Sequence, residues 1–326
     1  MPVRAPFINA IRSRPRATTL RRVKPELVDI ASGVHAYVQP DGSWMINNTG
    51  VVLGSDGSLL LVDTTSTEAR NRALLASVAA VSAADPRYVV NTHHHGDHTY
   101  GNWLLPGSTT VIGHEACREE VLNAGLIASQ VLAGPDYGHL EVRPPSLTFT
   151  TSLTVHLGTR AVELHHPGVG HTRGDAVVWL PEEKVLYAGD LVFVGGQPFL
   201  AEGSVSGYLR SLAFVRSLGA SVLVPGHGPL LRGDEINGVL DDLSEYATYV
   251  LDLAEAGRRA GQAPLEVAEQ AGESRFSAWR ESERLVGNLH RAYHELDGKP
   301  LSERMDVAGV WKDMMVLHGG PIRCHA

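Results

Sequence analysis

A cluster of histidines and an aspartate, placed directly after a short apolar run, constrains this chain more than any other feature. Residues 91–98 contain His93, His95, Asp97 and His98, and they follow a predicted buried strand at residues 88–90. The chain has 16 histidines in 326 residues, and at that content the pattern His-x-His-x-Asp-His has a chance of only about a few per thousand of arising by composition. The pattern therefore predicts a metal site at the end of a strand.

Composition limits the chemistry of that site. Cys117 and Cys324 are the two cysteines of the sequence and lie far apart, so neither a disulfide framework nor a CxxC zinc site is expected. Metal ligands must then come from histidine and carboxylate side chains. The formal net charge of −8, with no compact basic patch, argues against a nucleic-acid partner and favours a small-molecule substrate.

The order of predicted elements divides the chain into three parts. Residues 1–32 form a basic arm, and residues 33–232 alternate short strands with helices. Residues 233–326 form a helical extension with amphipathic stretches at 236–256 and 279–296. The arm lacks the apolar run of a signal peptide, and no stretch approaches the roughly 20 apolar residues of a membrane span. We therefore predict a cytoplasmic protein that does not associate with membranes.

Four further motifs occur in the same order along the chain as in a known protein family. Asp63 ends the apolar run 60–62, His171 and His227 each follow a glycine, and Asp190 follows Ala188-Gly189. Together with the histidine cluster, these motifs resemble the signature of the metallo-β-lactamase superfamily over residues 33–230. The resemblance implies an α/β fold, a four-layer αββα metallo-β-lactamase sandwich, here with a helical C-terminal extension.

The resemblance also implies roles for individual residues. It assigns His93, His95 and His171 to one metal, and Asp97, His98 and His227 to a second, with Asp190 bridging the two. Two Zn²⁺ ions per chain are expected, with iron or manganese as alternatives, and Asp97 is the catalytic residue that orients the nucleophile. Asp63 either accepts a hydrogen bond from a ligand imidazole or caps a turn. Gly170, Gly189 and Gly226 would allow backbone to lie close to the metals.

Several residues beside these motifs are less specific. His94 is expected to face away from the metals. His165 and His166, and likewise Asn102 and Trp103, are candidates for the pocket wall, with core or loop packing as the alternative. A C-terminal apolar stripe favours core packing or a homodimer contact over a substrate cap, and its members are Trp279, Leu285, Leu289, Tyr293 and Leu296.

Three functional hypotheses remain open. The first is a dizinc hydrolase in which metal-bound hydroxide cleaves a small ester, lactone, thioester or cyclic amide. The second is a mononuclear iron oxidoreductase similar to the persulfide dioxygenases, and the third is a non-catalytic metal-binding protein. The filled set of seven ligand positions favours the first. Asp190 stands where the best-known zinc β-lactamases carry cysteine, which favours the lactonases and the thioesterases of the glyoxalase II kind.

Overall fold

A computed structural model describes residues 24–39 and 41–326, and the strands in them form two sheets. The seven strands of the first sheet lie side by side in chain order: β1 Glu26–Ala31, β2 Val34–Val38, β3 Thr49–Leu53, β4 Leu59–Val62, β5 Pro86–Val90, β6 Thr110–His114 and β7 Leu147–Phe149. The second sheet has the order β13-β12-β11-β10-β9-β8. Its strands are β8 Ser152–Leu157, β9 Arg160–His165, β10 Val177–Leu180, β11 Val185–Phe193, β12 Val222–His227 and β13 Leu231–Arg232.

The helices of the described residues connect and cover these sheets. Those before β12 are α1 Glu68–Ala79, α2 Gly96–Thr99, α3 Glu115–Ala124, α4 Ala128–Val131 and α5 Val205–Ser217, with a 3₁₀ turn at Asn102–Leu104. Those after β13 are α6 Asp234–Ala260, α7 Pro264–Gln270, α8 Arg284–Leu296 and α9 Val307–His318. The Thr67 side chain accepts a hydrogen bond from Arg70 N and is the N-cap of α1.

The apolar side chains define four layers. Between the sheets, Val62 and Val90 pack in one cluster with Leu164, Val178 and other residues of the second sheet. On the outer face of the first sheet, Leu59 and Leu61 pack against Leu74 and Val78 of α1. On the outer face of the second sheet, residues of α5, α6 and α8 form the largest cluster. The predicted αββα sandwich is therefore confirmed, because each sheet buries both of its faces.

Parallel pairing brings strand ends together on the same edge of each sheet. In the first sheet β4 runs parallel to β5, so the chain leaves both strands at one edge, where Asp63 and the histidine cluster begin. In the second sheet β11 runs parallel to β12, which brings Asp190, in the last part of β11, near His227, the last residue of β12. The carboxyl ends of parallel strands are where ligand sites of α/β folds form.

The C-terminal helices are part of the body. Leu285, Leu289 and Tyr293 of α8 are buried in the same cluster as α5 and α6, as core packing predicts, whereas Leu296 is largely exposed. The amphipathic stretch predicted at 279–296 becomes helical only at Arg284, because Arg280 pairs with Gly196 in a β-bridge and Glu281 has φ +61°. A homodimer through these helices stays a prediction.

The predicted basic arm lies mostly outside the described residues, which begin at Lys24. Its last part contains β1, whose backbone pairs with β2, so the first sheet begins before residue 33. In the part of the chain that the structure describes, none of the helices combines the length and the apolar character that crossing a bilayer requires.

Candidate metal centre

Three histidines and one aspartate converge in the first half of the site. His95 Nδ1 lies 3.1 Å from His93 Nε2 and 2.9 Å from His171 Nε2. Asp190 Oδ2 lies 3.4 Å from His171 Nε2 and 3.7 Å from His93 Nε2. Ligand atoms of all four residues lie within 4.8 Å of one another. The donor set and its spacing suit a zinc ion bound at about 2.0–2.2 Å from imidazole and carboxylate.

Asp97, His98 and His227 form the second half. Asp97 Oδ2 lies 3.2 Å from His227 Nε2 and 3.7 Å from His98 Nε2. The two halves meet at Asp190, whose Oδ1 lies 3.1 Å from His98 Nε2 and whose Oδ2 lies 3.2 Å from His227 Nε2. All seven residues predicted as metal ligands are thus brought together, with Asp190 between the two histidine sets.

Local backbone structure places these side chains. The loop after β5 carries His93 and His95 and turns into the short helix α2, which presents Asp97 and His98 in its first turn. His227 is the last residue of β12. Asp190 lies within β11, because this strand continues to Phe193. Gly189 has φ +52°, and a Cβ there would lie 2.6 Å from Thr92 Oγ1, so this position requires glycine.

Each ligand histidine has one ring nitrogen that faces the centre, the inner one, and one that faces away, the outer one. Hydrogen bonds at the outer nitrogens of His98 and His171 fix the orientation of the inner ones. Asp63 Oδ2 accepts from His98 Nδ1 at 2.8 Å, and the same carboxylate accepts from the backbone and side chain of Thr92 at 2.7 Å. The carbonyl of Phe199 accepts from His171 Nδ1 at 2.6 Å. With the outer nitrogen donating, a neutral imidazole turns its Nε2 lone pair toward the centre. Of the two roles expected for Asp63, its contacts support the first, in which it accepts a hydrogen bond from a ligand imidazole.

The interior of the site fits metal ions. The His98 Nε2 and Asp190 Oδ1 atoms are buried, and neither has a hydrogen-bond partner among the described residues. In neutral His98 the lone pair of Nε2 faces this carboxylate oxygen, an arrangement that is unfavourable unless a proton or a metal ion lies between the two atoms. The centre therefore has suitable ligand atoms, and two of them are buried acceptors that a bound metal ion would satisfy.

Electrostatics favour ionised carboxylates in this buried site. Burial raises the pKa of Asp190, but His227, His98, His93 and His171 outweigh it and hold that pKa well below its usual value. Burial alone lowers the pKa of His227, yet Asp190 and Asp97 raise it to about 9. For His93, burial together with the neighbouring His98 lowers the pKa well below its usual value. Two negative carboxylates among imidazoles form a centre that attracts divalent cations.

Other candidate residues lie elsewhere. His94 turns its Nε2 to Glu202 rather than to the centre, as predicted. His166 does not line the site: its ring stacks on His114 with centroids 3.9 Å apart, and its Nδ1 donates to the carbonyl of Asp175. Asn102 is fully buried and bonds Asn91, so it supports the loop rather than forming a pocket wall.

Two remaining candidates also pack outside the centre. The Trp103 ring packs edge-on against His139, with ring centroids 4.6 Å apart. His165 Nε2 lies 3.1 Å from Glu163 Oε2 on the same strand. For both residues the structure therefore favours the packing alternative over the pocket wall.

Glu202 was not predicted from the sequence. Its Oε2 lies 2.9 Å from His94 Nε2 and 3.4 Å from His95 Nε2. The residue belongs to the loop between β11 and α5, 107 positions after His95, and no motif marks it. Burial raises the pKa of Glu202, but hydrogen bonds from His94 and His95 bring it well below its usual value.

The family model described as "Metallo-beta-lactamase superfamily" matches residues 42–227, more than half of the chain. A metallo-beta-lactamase type 2 from Bacteroides fragilis is 24% identical over 213 residues, 62% of this chain and 78% of the relative. A hydroxyacylglutathione hydrolase from Methylococcus capsulatus is 31% identical over 140 residues, 42% of this chain and 46% of the relative. The chain thus spans less than half of the latter relative.

Solved structures show the same fold. The DIM-1 metallo-beta-lactamase superposes with a TM-score of 0.55 at 21% identity, covering 69% of this chain and 98% of that protein. The inverting sec-alkylsulfatase Pisa1 from Pseudomonas sp. gives a TM-score of 0.64 at 18% identity, covering 83% of this chain and 50% of the sulfatase. At such identities the likeness concerns the fold.

Proposed function

The chain belongs to the metallo-β-lactamase superfamily, a hydrolase superfamily, and from this premise we propose that it is a dizinc hydrolase of a small ester, lactone, thioester or cyclic amide. One observation carries the proposal: two separate sets of ligand residues meet at a single buried carboxylate, Asp190. A mononuclear iron site needs only one of these sets. A non-catalytic relic would have no need for both.

The residues of the chain have distinct roles in this proposal. When bound, two zinc ions lower the pKa of water to about 7 and polarise the scissile group of the substrate. Asp190 holds the two ligand sets at a fixed separation, because its two oxygens face different histidines. Asp97 is ionised and lies beside His227, so it is placed to orient the nucleophile and to accept its proton.

The exposure of the metal-ligand side chains indicates that substrate approaches the centre from the side of His95. The His95 side chain is 20% exposed, whereas that of Asp97 is 6% exposed and the other five are buried at least as deeply. The ring centroid of Phe199 lies 6.1 Å from that of His95. It also lies 5.6 Å from the ring centroid of Trp44 and 5.8 Å from that of Trp311, so the three apolar rings pack together. Phe199 and Trp44 are buried, whereas Trp311 is partly exposed. We therefore propose a substrate whose apolar group, next to the scissile bond, contacts Trp311.

Within the four bond types we favour esters, lactones and thioesters over β-lactams. Asp190 occupies the position at which the best-known zinc β-lactamases carry cysteine. The identity of 31% with the hydroxyacylglutathione hydrolase, over 140 residues, supports a thioester as the target.

The test combines metal analysis with a hydrolysis screen. Purified wild-type protein is assayed for zinc, iron and manganese and for hydrolysis of a chromogenic β-lactam, a lactone and a thioester. The same measurements are made on Asp97→Ala and on Asp252→Ala, which removes an exposed carboxylate on α6. We expect about two zinc ions per wild-type chain, and we expect Asp97→Ala to lower kcat by about 10²–10⁴-fold.

The outcomes separate the three hypotheses. Two zinc ions with hydrolysis retained in Asp252→Ala and lost in Asp97→Ala support the proposal. One iron per chain, with hydrolysis absent, would favour the oxidoreductase. A chain that binds no metal under any of these conditions would contradict both catalytic hypotheses.

A further inference from the structure

A second carboxylate lies behind a ligand histidine, on the first half of the centre. Glu202 Oε2 lies 3.4 Å from the outer nitrogen of His95, Nε2, while the inner nitrogen, Nδ1, faces His93 and His171. This arrangement repeats the pair formed by Asp63 and His98 in the second half. Each half of the centre therefore has one histidine whose outer nitrogen faces a carboxylate.

His94 holds Glu202 in place. The Nε2 of His94 donates to the same Oε2 at 2.9 Å, so one carboxylate oxygen accepts from two adjacent histidines. The His94 side chain is 4% exposed and that of Glu202 is 26% exposed. Both line a cleft whose other residues include Arg173, Arg304 and Glu303. Glu202 thus lies between solvent in this cleft and the first ligand set.

A cation bound directly by His94, His95 and Glu202 is the competing interpretation, since their ligand atoms also lie within 4.8 Å of one another. That cation would require the Nε2 lone pair of His95. A neutral imidazole has a single lone pair, and in His95 it belongs to Nδ1 if this atom binds the first metal. Occupying both sites would then require a doubly deprotonated ring, so the geometry favours a hydrogen bond from Nε2 to Glu202.

We propose that Glu202 is a positioning residue for the first ligand set: its carboxylate, anchored by His94, fixes the orientation of His95 and increases the affinity of that set for metal. The inference rests on the proposed function only in that the first set binds zinc. Outer partners of ligand histidines contribute about 10–100-fold to metal affinity. Glu202 should therefore increase the affinity of the first set through its contact with His95.

The experiment measures zinc affinity directly, by competition with a chromophoric chelator, rather than activity. Asp97→Ala supplies a background in which only the first set is complete. In that background Glu202→Gln is expected to weaken zinc binding about 10–100-fold. Glu303→Gln, which neutralises a carboxylate on the same cleft, is the matched control and should leave affinity unchanged. Cobalt spectra of the same variants report whether the coordination geometry of the first set changes.

The possible results distinguish this inference from the proposed function. A wild-type chain that binds no zinc would contradict the proposed function. Zinc affinity unaffected by Glu202→Gln, or weakened equally by Glu303→Gln and Glu202→Gln, would overturn the inference alone. A third zinc ion that disappears in Glu202→Gln would support the direct cation site instead. Far-UV circular dichroism of the metal-free variants checks folding, and Glu202→Asp, which keeps the charge, should restore part of the affinity.

Discussion

At the scale of single residues, the centre depends on a close approach that only glycine permits. A Cβ built on Gly226 would overlap Asp190 Oδ1 and lie 2.7 Å from the carbonyl carbon of Gly189. Gly170, by contrast, is required by its packing against Ser211 and Leu191. Of these two glycines, Gly226 is thus the one at which a side chain would collide directly with the central carboxylate.

We predict that Gly226→Ala loses zinc. The added methyl group must displace Asp190, which contacts both ligand sets, so zinc content should fall well below that of the wild type and activity should fall with it. Gly238→Ala is the matched control, because a methyl group added at this position inside α6 would meet no neighbouring atom within 4 Å. That control should keep its zinc and gain about 0.5–1 kcal/mol in unfolding free energy. Full zinc occupancy in Gly226→Ala would contradict the prediction.

At the scale of elements, α3 begins at a histidine that must stay neutral. His114 Nδ1 accepts a hydrogen bond from Ala116 N, and its Nε2 donates to the carbonyl of Thr150. The ring is buried and stacks on His166. Burial and the neighbouring His166 lower the pKa of His114 to about 4. Protonation would also remove the Nδ1 lone pair that caps the helix.

The N-cap histidine of α3, His114, predicts that the stability of the protein depends on pH. The unfolded chain protonates His114 near pH 6.5, whereas the folded chain resists protonation until about pH 4. The contribution to stability is therefore complete above pH 6.5 and is lost as the pH falls from 6.5 toward 4. At pH 5 the loss amounts to about 2 kcal/mol.

Urea unfolding of the metal-free protein between pH 7.5 and 5 measures this effect. The free energy of unfolding should fall less steeply with acidification in His114→Asn than in the wild type, because asparagine caps a helix without titrating. His156→Asn, at an exposed position on β8, serves as the control. Equal slopes for the wild type and His114→Asn would show that His114 is not responsible.

The C-terminal elements also shape the surroundings of the centre. The Arg284 guanidinium lies 3.8 Å from the ring centroid of Trp44 and 5.2 Å from that of Phe193, and Phe193 stacks on His227. The Trp44 indole donates to Glu283 Oε1 at 2.8 Å. Helix α8 and the turn before it therefore hold the segment around Trp44 beside the metal ligands.

At the scale of the whole molecule, the metal-binding region and the C-terminal helices share one core. Leu212, Val215 and Leu223 of α5 and β12 belong to the same buried cluster as Leu240 and Tyr246 of α6. Burial of each large apolar side chain contributes about 1.5–3 kcal/mol. The loss of even a few such contacts would therefore cancel most of the free energy of unfolding, which is roughly 5–15 kcal/mol for a native protein.

We predict that residues 24–232 do not fold without the helices that follow. This fragment should be insoluble on expression or lack a cooperative unfolding transition, because one face of the second sheet and α5 would be exposed. The full chain should unfold in a single calorimetric transition that coincides with the loss of its far-UV signal. A soluble fragment with a cooperative transition would show that residues 233–326 are an independent unit.

Local sequence was sufficient to predict the metal centre and the fold family. His93, His95, Asp97 and His98 lie within six residues, so a strand end followed by a tight turn places them together regardless of the rest of the chain. The ordered motifs at Asp63, His171, Asp190 and His227 added the remaining residues by resemblance. Such short patterns are informative because local backbone geometry decides where these side chains point.

Contacts between distant segments, by contrast, emerged only from the folded chain. Glu202 lies 107 positions from His95, and the carbonyl of Phe199 accepts from His171 through a main-chain atom that any residue would supply. The position of His166 on His114 and the packing of α8 beside Trp44 likewise depend on the path of whole loops. A single carboxylate or carbonyl in a loop has no periodicity, so its partner becomes apparent only once the sheets have closed on each other.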